Sequence, residues 1–170
     1  MKGKTVVITG GTSGIGEIAV EQLAQMGARI VLIARDKSHG EATLAQLRER
    51  APSVAHTIHY ADLARIPEMK RVAAQIAKSE PRIDVLINNA GAMFGSRQLT
   101  GDGLEYTFAL NHMAYFVVTE GLRERLQASA LRRSKRRPDL AIHRSGQALR
   151  DLPRERRGNA CLSRLFSRCG

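Results

Sequence analysis

The chain is 170 residues long, 43% apolar and 25% charged, with a formal net charge of +11. That length suits one domain with a sizeable core, and the composition excludes a collagen, a coiled coil or a chain disordered throughout. No apolar run approaches the ~20 residues of a membrane span. The only cysteines, Cys161 and Cys169, support neither a disulfide framework nor a zinc site. The N-terminal run is too short for a secretory leader, so a cytoplasmic setting is expected.

The first element reads as a buried strand, Thr5-Val6-Val7-Ile8-Thr9, β-branched throughout and followed at once by glycines. A helix is predicted from about Gly14 to Met26, with Ile15, Ile18, Ala19, Leu23 and Met26 on one apolar face and Gly27 ending it. A second strand follows from Ala28 to Ala34. A second helix, about Ser38 to Arg50, carries Ala42, Leu44, Ala45 and Leu47 before Pro52.

Val54 to Tyr60 reads as a third strand, and Pro67 to Lys78 as a helix with Met69, Val72, Ala73 and Ile76 inward. Ile83 to Ile87 is a fourth strand entering Asn88-Asn89-Ala90-Gly91. A long helix is predicted from about Asp102 to Leu126, with Leu104, Phe108, Asn111, Tyr115, Val118 and Leu122 as one face. Strand and helix alternate four times, the signature of a parallel sheet covered on both sides. Right-handed crossovers restrict the topology to a doubly wound sheet.

The pattern stops near residue 128. Residues 1–128 carry 15 Lys and Arg against 13 Asp and Glu, whereas residues 129–170 carry 12 against 3. The latter segment has no Val and only 8 Leu, Ile or Phe, too few to offset ordering by burial. We therefore expect a cofactor-binding portion over 1–128 and a basic tail over 129–170, disordered or irregular.

The most informative motif is Thr9-Gly10-Gly11-Thr12-Ser13-Gly14-Ile15-Gly16, set between a strand and a helix. Gly10 lets the chain turn sharply, Gly14 lets a pyrophosphate approach the backbone, and Gly16 permits close packing of helix on sheet. The helix N-terminus adds unpaired N–H groups and the positive dipole end. At the end of the second strand Ala34 stands where an acid would bind a ribose 2′-hydroxyl, and Arg35 follows. A guanidinium matches a phosphate, so NADP(H) is expected over NAD(H). The alternative is that Arg35 is merely solvated and Asp36 serves NAD.

With those residues in hand, the chain resembles the short-chain dehydrogenases/reductases, and within them the retinol-dehydrogenase-like group. The glycine turn is similar to that family's cofactor loop (Gly10, Thr12, Ser13, Gly14, Ile15 and Gly16), and Asp62-Leu63 to its adenine-contacting pair. Asn89-Ala90-Gly91 is similar to the motif lining its cofactor site, and Asn111-His112 to the helix with its catalytic asparagine, Asn111. The resemblance implies a Rossmann-like sheet and hydride transfer between NADP(H) and a small carbonyl or alcohol substrate. It also implies a Ser and a Tyr-x-x-x-Lys pair, the Lys lowering the phenol's pKa. The three tyrosines, Tyr60, Tyr106 and Tyr115, have Ala64, Leu110 and Thr119 four residues on, so the pair is missing and the chain reads as catalytically incomplete.

Three readings follow: an oxidoreductase by descent, a non-catalytic NADP-binding module, and a basic nucleic-acid binder acting through the Arg-rich tail. The last is disfavoured because Phe166 is the tail's only aromatic. We read the change near residue 129 as a truncation of the family pattern by a shift of reading frame, with a natural divergent tail as the alternative. The fourth strand would then be an open sheet edge, which invites pairing with a second copy or aggregation. The five histidines lack ligand spacing, so no metal site is expected.

Overall fold

A computed structural model of the chain describes residues 1–136, with the side chains of 1–130. Expectations about residues 137–170 lie outside the described residues. The elements are β1 (Thr5–Thr9), α1 (Gly14–Gln25), β2 (Arg29–Ala34), α2 (Lys37–Arg50), β3 (Thr57–Tyr60), α3 (Ile66–Ser79) and β4 (Val85–Ile87). A short turn α4 (Tyr106–Phe108), a π-helical turn (Ala109–Met113) and α5 (Ala114–Arg136) complete the described chain. The sheet is parallel throughout, in the order β3-β2-β1-β4. Its order reverses at β1, where one crossover leads outward to β2 and the later one to β4. That is the arrangement of a Rossmann-like α/β fold, with a ligand crevice expected outside the carboxyl ends of the strands.

Side-chain alternation along β1 and β2 divides the core in two. Val7, Val31 and Ile33 pack with Met69, Val72 and Ile76 of α3 and with Val118 and Leu122 of α5. Val6, Ile8, Ile30 and Leu32 face the other way, toward Val20 and Ala24 of α1 and Leu47 of α2. Burying each such side chain contributes roughly 1.5–3 kcal/mol. At the amino ends of the strands Asp84 accepts from the Thr5 N–H at 3.0 Å and pairs with Lys4 at 2.9 Å and Arg82 at 3.1 Å, holding β4 to β1.

Two apolar faces differ from expectation. In α1 the buried residues are Gly16, Val20 and Ala24, while Ile15, Ile18 and Met26 are exposed. The small side chains let the helix lie close on the sheet, and closeness selects the face in preference to bulk. In the last helix the expected start at Asp102 moves to Tyr106, and α5 continues to Arg136, so residues 129–136 are helical where an irregular chain was expected. Its buried apolar positions are Ala109, Ala114, Val118 and Leu122, and Phe108 is exposed. The step of five from Ala109 to Ala114 is the π turn, which shifts the buried face past the 3–4 spacing read from sequence.

The boundaries of the sheet are shorter than the apolar runs. β3 begins at Thr57, because only Thr57–Tyr60 find partners on β2. β4 spans three residues and pairs with β1 alone among the described strands, so its outer side is an edge.

Candidate functional site

A cleft of about 370 Å³ opens at the carboxyl ends of the strands. It is bounded by Gly10, Thr12, Ser13, Ile15 and Gly16 of the first turn, Arg35 after β2, and Asp62 and Leu63 after β3. Asn89, Ala90 and Gly91 after β4 complete the set expected from sequence. Gly14, in the first turn, and Asn111, on the π turn, do not line it.

The turn is built around close approaches. Gly10 has φ +66°, and a Cβ there would lie 2.6 Å from the Ala90 Cα. A Cβ on Gly16 would sit 2.1 Å from the Gly10 carbonyl oxygen and 2.4 Å from Asn89 Nδ2. Gly16 therefore lets the helix start close over both the turn and the β4 amide. Gly14 differs, having φ +56° with open space where a Cβ would point. Ser13 stands at the N-cap of α1, yet its side chain makes no cap hydrogen bond. The first N–H groups of α1 thus lack a side-chain acceptor and meet the cleft at the positive end of the helix dipole, a geometry suited to phosphate oxygens.

β4 is tied to that turn by two side chains. Asn89 Nδ2 donates to the carbonyls of Gly10 at 2.7 Å and Thr9 at 3.3 Å. The Thr9 hydroxyl accepts from the N–H groups of Asn89 and Ala90, each at 3.0 Å. Thr9 is fully buried; sequence reasoning took it as the last strand residue and missed this role. A Thr immediately before a glycine turn, able to offer an acceptor at the strand end, was the available signal.

Arg35 is exposed at the cleft and forms no ion pair among the described residues. Asp36 is occupied elsewhere. It caps α2, accepting from the His39 N–H at 2.8 Å and the Ser38 hydroxyl at 2.7 Å. Those bonds, the His39 N–H foremost, hold its carboxyl below the usual range. Asp62 Oδ1 likewise accepts from the Ala64 N–H at 3.0 Å, shaping the turn after β3.

Asn111 lies on the π turn, and both ends of its amide engage Ala92: Oδ1 accepts from the Ala92 N–H at 3.0 Å and Nδ2 donates to its carbonyl at 2.9 Å. The bond runs from helix to loop, and it satisfies an amide set among apolar neighbours. Tyr106 and Leu110 also line the cleft, with the Tyr106 ring 4.7 Å from that of Phe94. They form an i, i+4 pair that the expected helix face left out.

The short chain dehydrogenase family profile matches residues 4–132, so the chain belongs to the short-chain dehydrogenase/reductase family. It is 38% identical over 128 residues to retinol dehydrogenase 13 of Homo sapiens, covering 75% of this chain and 39% of that protein. Among solved structures, a short-chain dehydrogenase from Sphingobium yanoikuyae in complex with NADPH aligns at 34% identity and TM-score 0.64, over 74% of this chain and 49% of that one. An NADH-dependent reductase responsible for alginate metabolism aligns at 29% identity and TM-score 0.65, over 78% and 55%. The chain spans about 38% to 53% of the length of curated relatives such as these, and some of those alignments extend along 99% of it. Among the described residues no helix is long and apolar enough to cross a membrane.

Proposed function

We propose that the cleft binds NADP(H) and that the described residues form the cofactor-binding half of an oxidoreductase acting on small carbonyl or alcohol compounds. The observation that carries this reading is the open start of α1. Gly14 leaves room for a ligand, Ser13 leaves the first amides uncapped, and Asn89 fixes the turn that presents them. When bound, the nicotinamide would supply or accept the hydride. Gly10 to Gly16 would hold the pyrophosphate, Asp62 and Leu63 would flank the adenine, and Asn89 to Gly91 would border the ribose on the far side. Asn111, by clamping Ala92, would keep that border in place.

NADP(H) is preferred in this reading because, among the described residues, Arg35 at the end of β2 forms no ion pair and Asp36 is spent on the α2 cap. The similar solved structures leave the choice open, since one is a complex with NADPH and another is an NADH-dependent reductase. Titration calorimetry of the full chain with NADPH and NADH tests it. Tighter binding of NADPH is expected, and equal affinities would remove the role given to Arg35.

A second reading, a nucleotide-binding module without turnover, is favoured by the tyrosines: none of Tyr60, Tyr106 or Tyr115 has a lysine four residues on. Following NADPH absorbance with ketones and aldehydes separates the two readings. A rate lost in Asn111→Ala would support the enzyme, and retained affinity without a rate would support the module. The outer side of β4, unpaired among the described strands, offers main-chain groups to a second copy of the chain. Sedimentation of the purified protein over a concentration series tests that pairing, and a monomer at every concentration would oppose it.

A further inference from the structure

Two of the walls of the cleft come from segments distant in sequence. Ala61 to Ala64 form one, and Tyr106 and Leu110 belong to the other. α3 begins directly after the first wall, and its N-cap residue, Arg65, makes no side-chain cap. The cap comes from 36 residues away, where Asp102 Oδ2 accepts from the Ile66 N–H at 2.8 Å.

Asp102 is held firmly at the tip of its loop. The Thr100 N–H donates to the Leu104 carbonyl at 2.8 Å, and the Gly103 N–H to the Thr100 carbonyl at 3.0 Å. The Thr100 hydroxyl accepts from the N–H groups of Asp102 and Leu104 at 3.3 Å each. Gly103 takes φ +76° to close the turn, and Leu99 bridges to Glu105. The next residue, Tyr106, donates its N–H to Gln98 at 3.0 Å and already lines the cleft. On the other side the Arg65 N–H bonds the Asp62 carbonyl at 3.1 Å, so residues 62–66 form one continuous turn.

We propose that Asp102 is a positioning residue for the cofactor cleft, a strut that joins these two of its walls and sets the distance between them. It is not itself a lining residue and would not touch a ligand. Its effect passes through Ile66 to Asp62 and Leu63 on one side, and through Tyr106 on the other. A ligand spanning both walls would sense the strut, because a wall free to shift must be ordered when the ligand binds. The inference rests on the reading of the cleft as a dinucleotide site.

The test is calorimetric titration of the full chain with NADPH for wild type, Asp102→Ala, Asp102→Ser and Asp102→Asn, with folding followed by circular dichroism. The Ala and Ser variants are expected to bind about fivefold more weakly, the scale of one lost helix cap. Asn keeps an acceptor at the same reach and is expected to restore wild-type affinity, a rescue that would not follow if only the charge mattered. Ser serves as the folded control should Ala unfold the loop. Variants that bind like wild type, or an Asn variant as weak as Ser, overturn the strut alone. A folded wild type that ignores NADPH and NADH overturns the cofactor reading and the strut with it.

Discussion

The side-chain amide of Asn89 donates to the main-chain carbonyl of Gly10 at 2.7 Å, joining the end of β4 to the turn that opens the cleft. Thr9 reinforces the same joint by accepting two N–H groups from the β4 side. Because Thr9 is buried, Thr9→Val leaves both donors without a partner at nearly unchanged volume. The expected cost is about 1–3 kcal/mol of stability, read as a lower urea midpoint, together with weaker NADPH binding. Asn89→Ala removes two donated bonds at a half-buried position and is expected to cost less in stability while weakening binding as much. Midpoints matching wild type in both variants would mean the joint is redundant.

Two glycines of the motif, Gly16 and Gly14, separate by what surrounds them. Gly16→Ala puts a methyl group 2.1 Å from the Gly10 oxygen, and backbone cannot yield as a side chain can. It is expected to displace the start of α1 or abolish folding. Gly14→Ala meets no atom, so only its positive φ opposes it, a strain of about 1–2 kcal/mol. That variant is expected to fold and to lose NADPH affinity sharply, since the new methyl occupies the space proposed for phosphate. Circular dichroism and calorimetry on the two variants distinguish a turn that folds from one that binds. A Gly14→Ala protein with full affinity would contradict the assigned position of the pyrophosphate.

Much of this arrangement was legible in the sequence because it is local. The β-branched run before the glycines, the Pro67 start of α3 and the Met69, Val72, Ala73, Ile76 stripe each specify their element within a few residues. Eleven of the thirteen residues expected at the site line the cleft, the other two being Gly14 and Asn111. The failures have tertiary causes. Ile15 and Ile18 match the helical period, yet Gly16, Val20 and Ala24 are the face that can approach the sheet. Leu104 matches the period of the last helix but belongs to the loop that Thr100 and Asp102 organise, and Glu105 caps the helix by accepting from the Thr107 and Phe108 N–H groups. The inserted residue of the π turn has no local signature in the apolar spacing.

Arg35 and Asp36 are adjacent but do separate work, so their variants should separate too. Arg35→Ala is expected to weaken NADPH binding about 10- to 100-fold, the scale of a lost charge-assisted bond to phosphate, while NADH binding stays within about twofold. Asp36→Ala removes the α2 cap and is expected to lower the urea midpoint slightly without reversing the preference. Affinity measurements for both nucleotides on both variants check this. An Asp36→Ala protein that loses NADH selectively would return the ribose contact to the acid.

Acid should weaken the fold in two stages, for different reasons. His56 is buried, its Nδ1 accepting from the Ile30 N–H at 3.2 Å, and Nε2 has no partner among the described residues. Desolvation, with Arg29 and Arg48 nearby, holds its pKa below the ordinary 6.5. Desolvation also lowers His59, opposed by Glu80 and Gln75 and assisted by Arg71. Well above pH 6.5 both rings are neutral in either state. As pH falls through 6.5 the unfolded chain binds protons first, so stability declines until the folded pKa values are passed. Protonated His56 would also turn Nδ1 into a donor facing the Ile30 donor. Asp84 gives the second stage: desolvation raises its pKa, but the Thr5 N–H, Lys4 and Arg82 outweigh it and hold the carboxyl below 3.8. Its contribution is present above that value and lost as pH falls through the folded pKa. Urea midpoints from pH 8 to pH 3 should therefore fall first below about pH 6.5 and again below about pH 4. His56→Gln should flatten the first decline, leaving the part due to His59, and Asp84→Asn should shrink the second, leaving the part due to Asp36, Glu68 and Glu105, at a cost in stability at neutral pH. A first decline unchanged by His56→Gln would assign it to other groups.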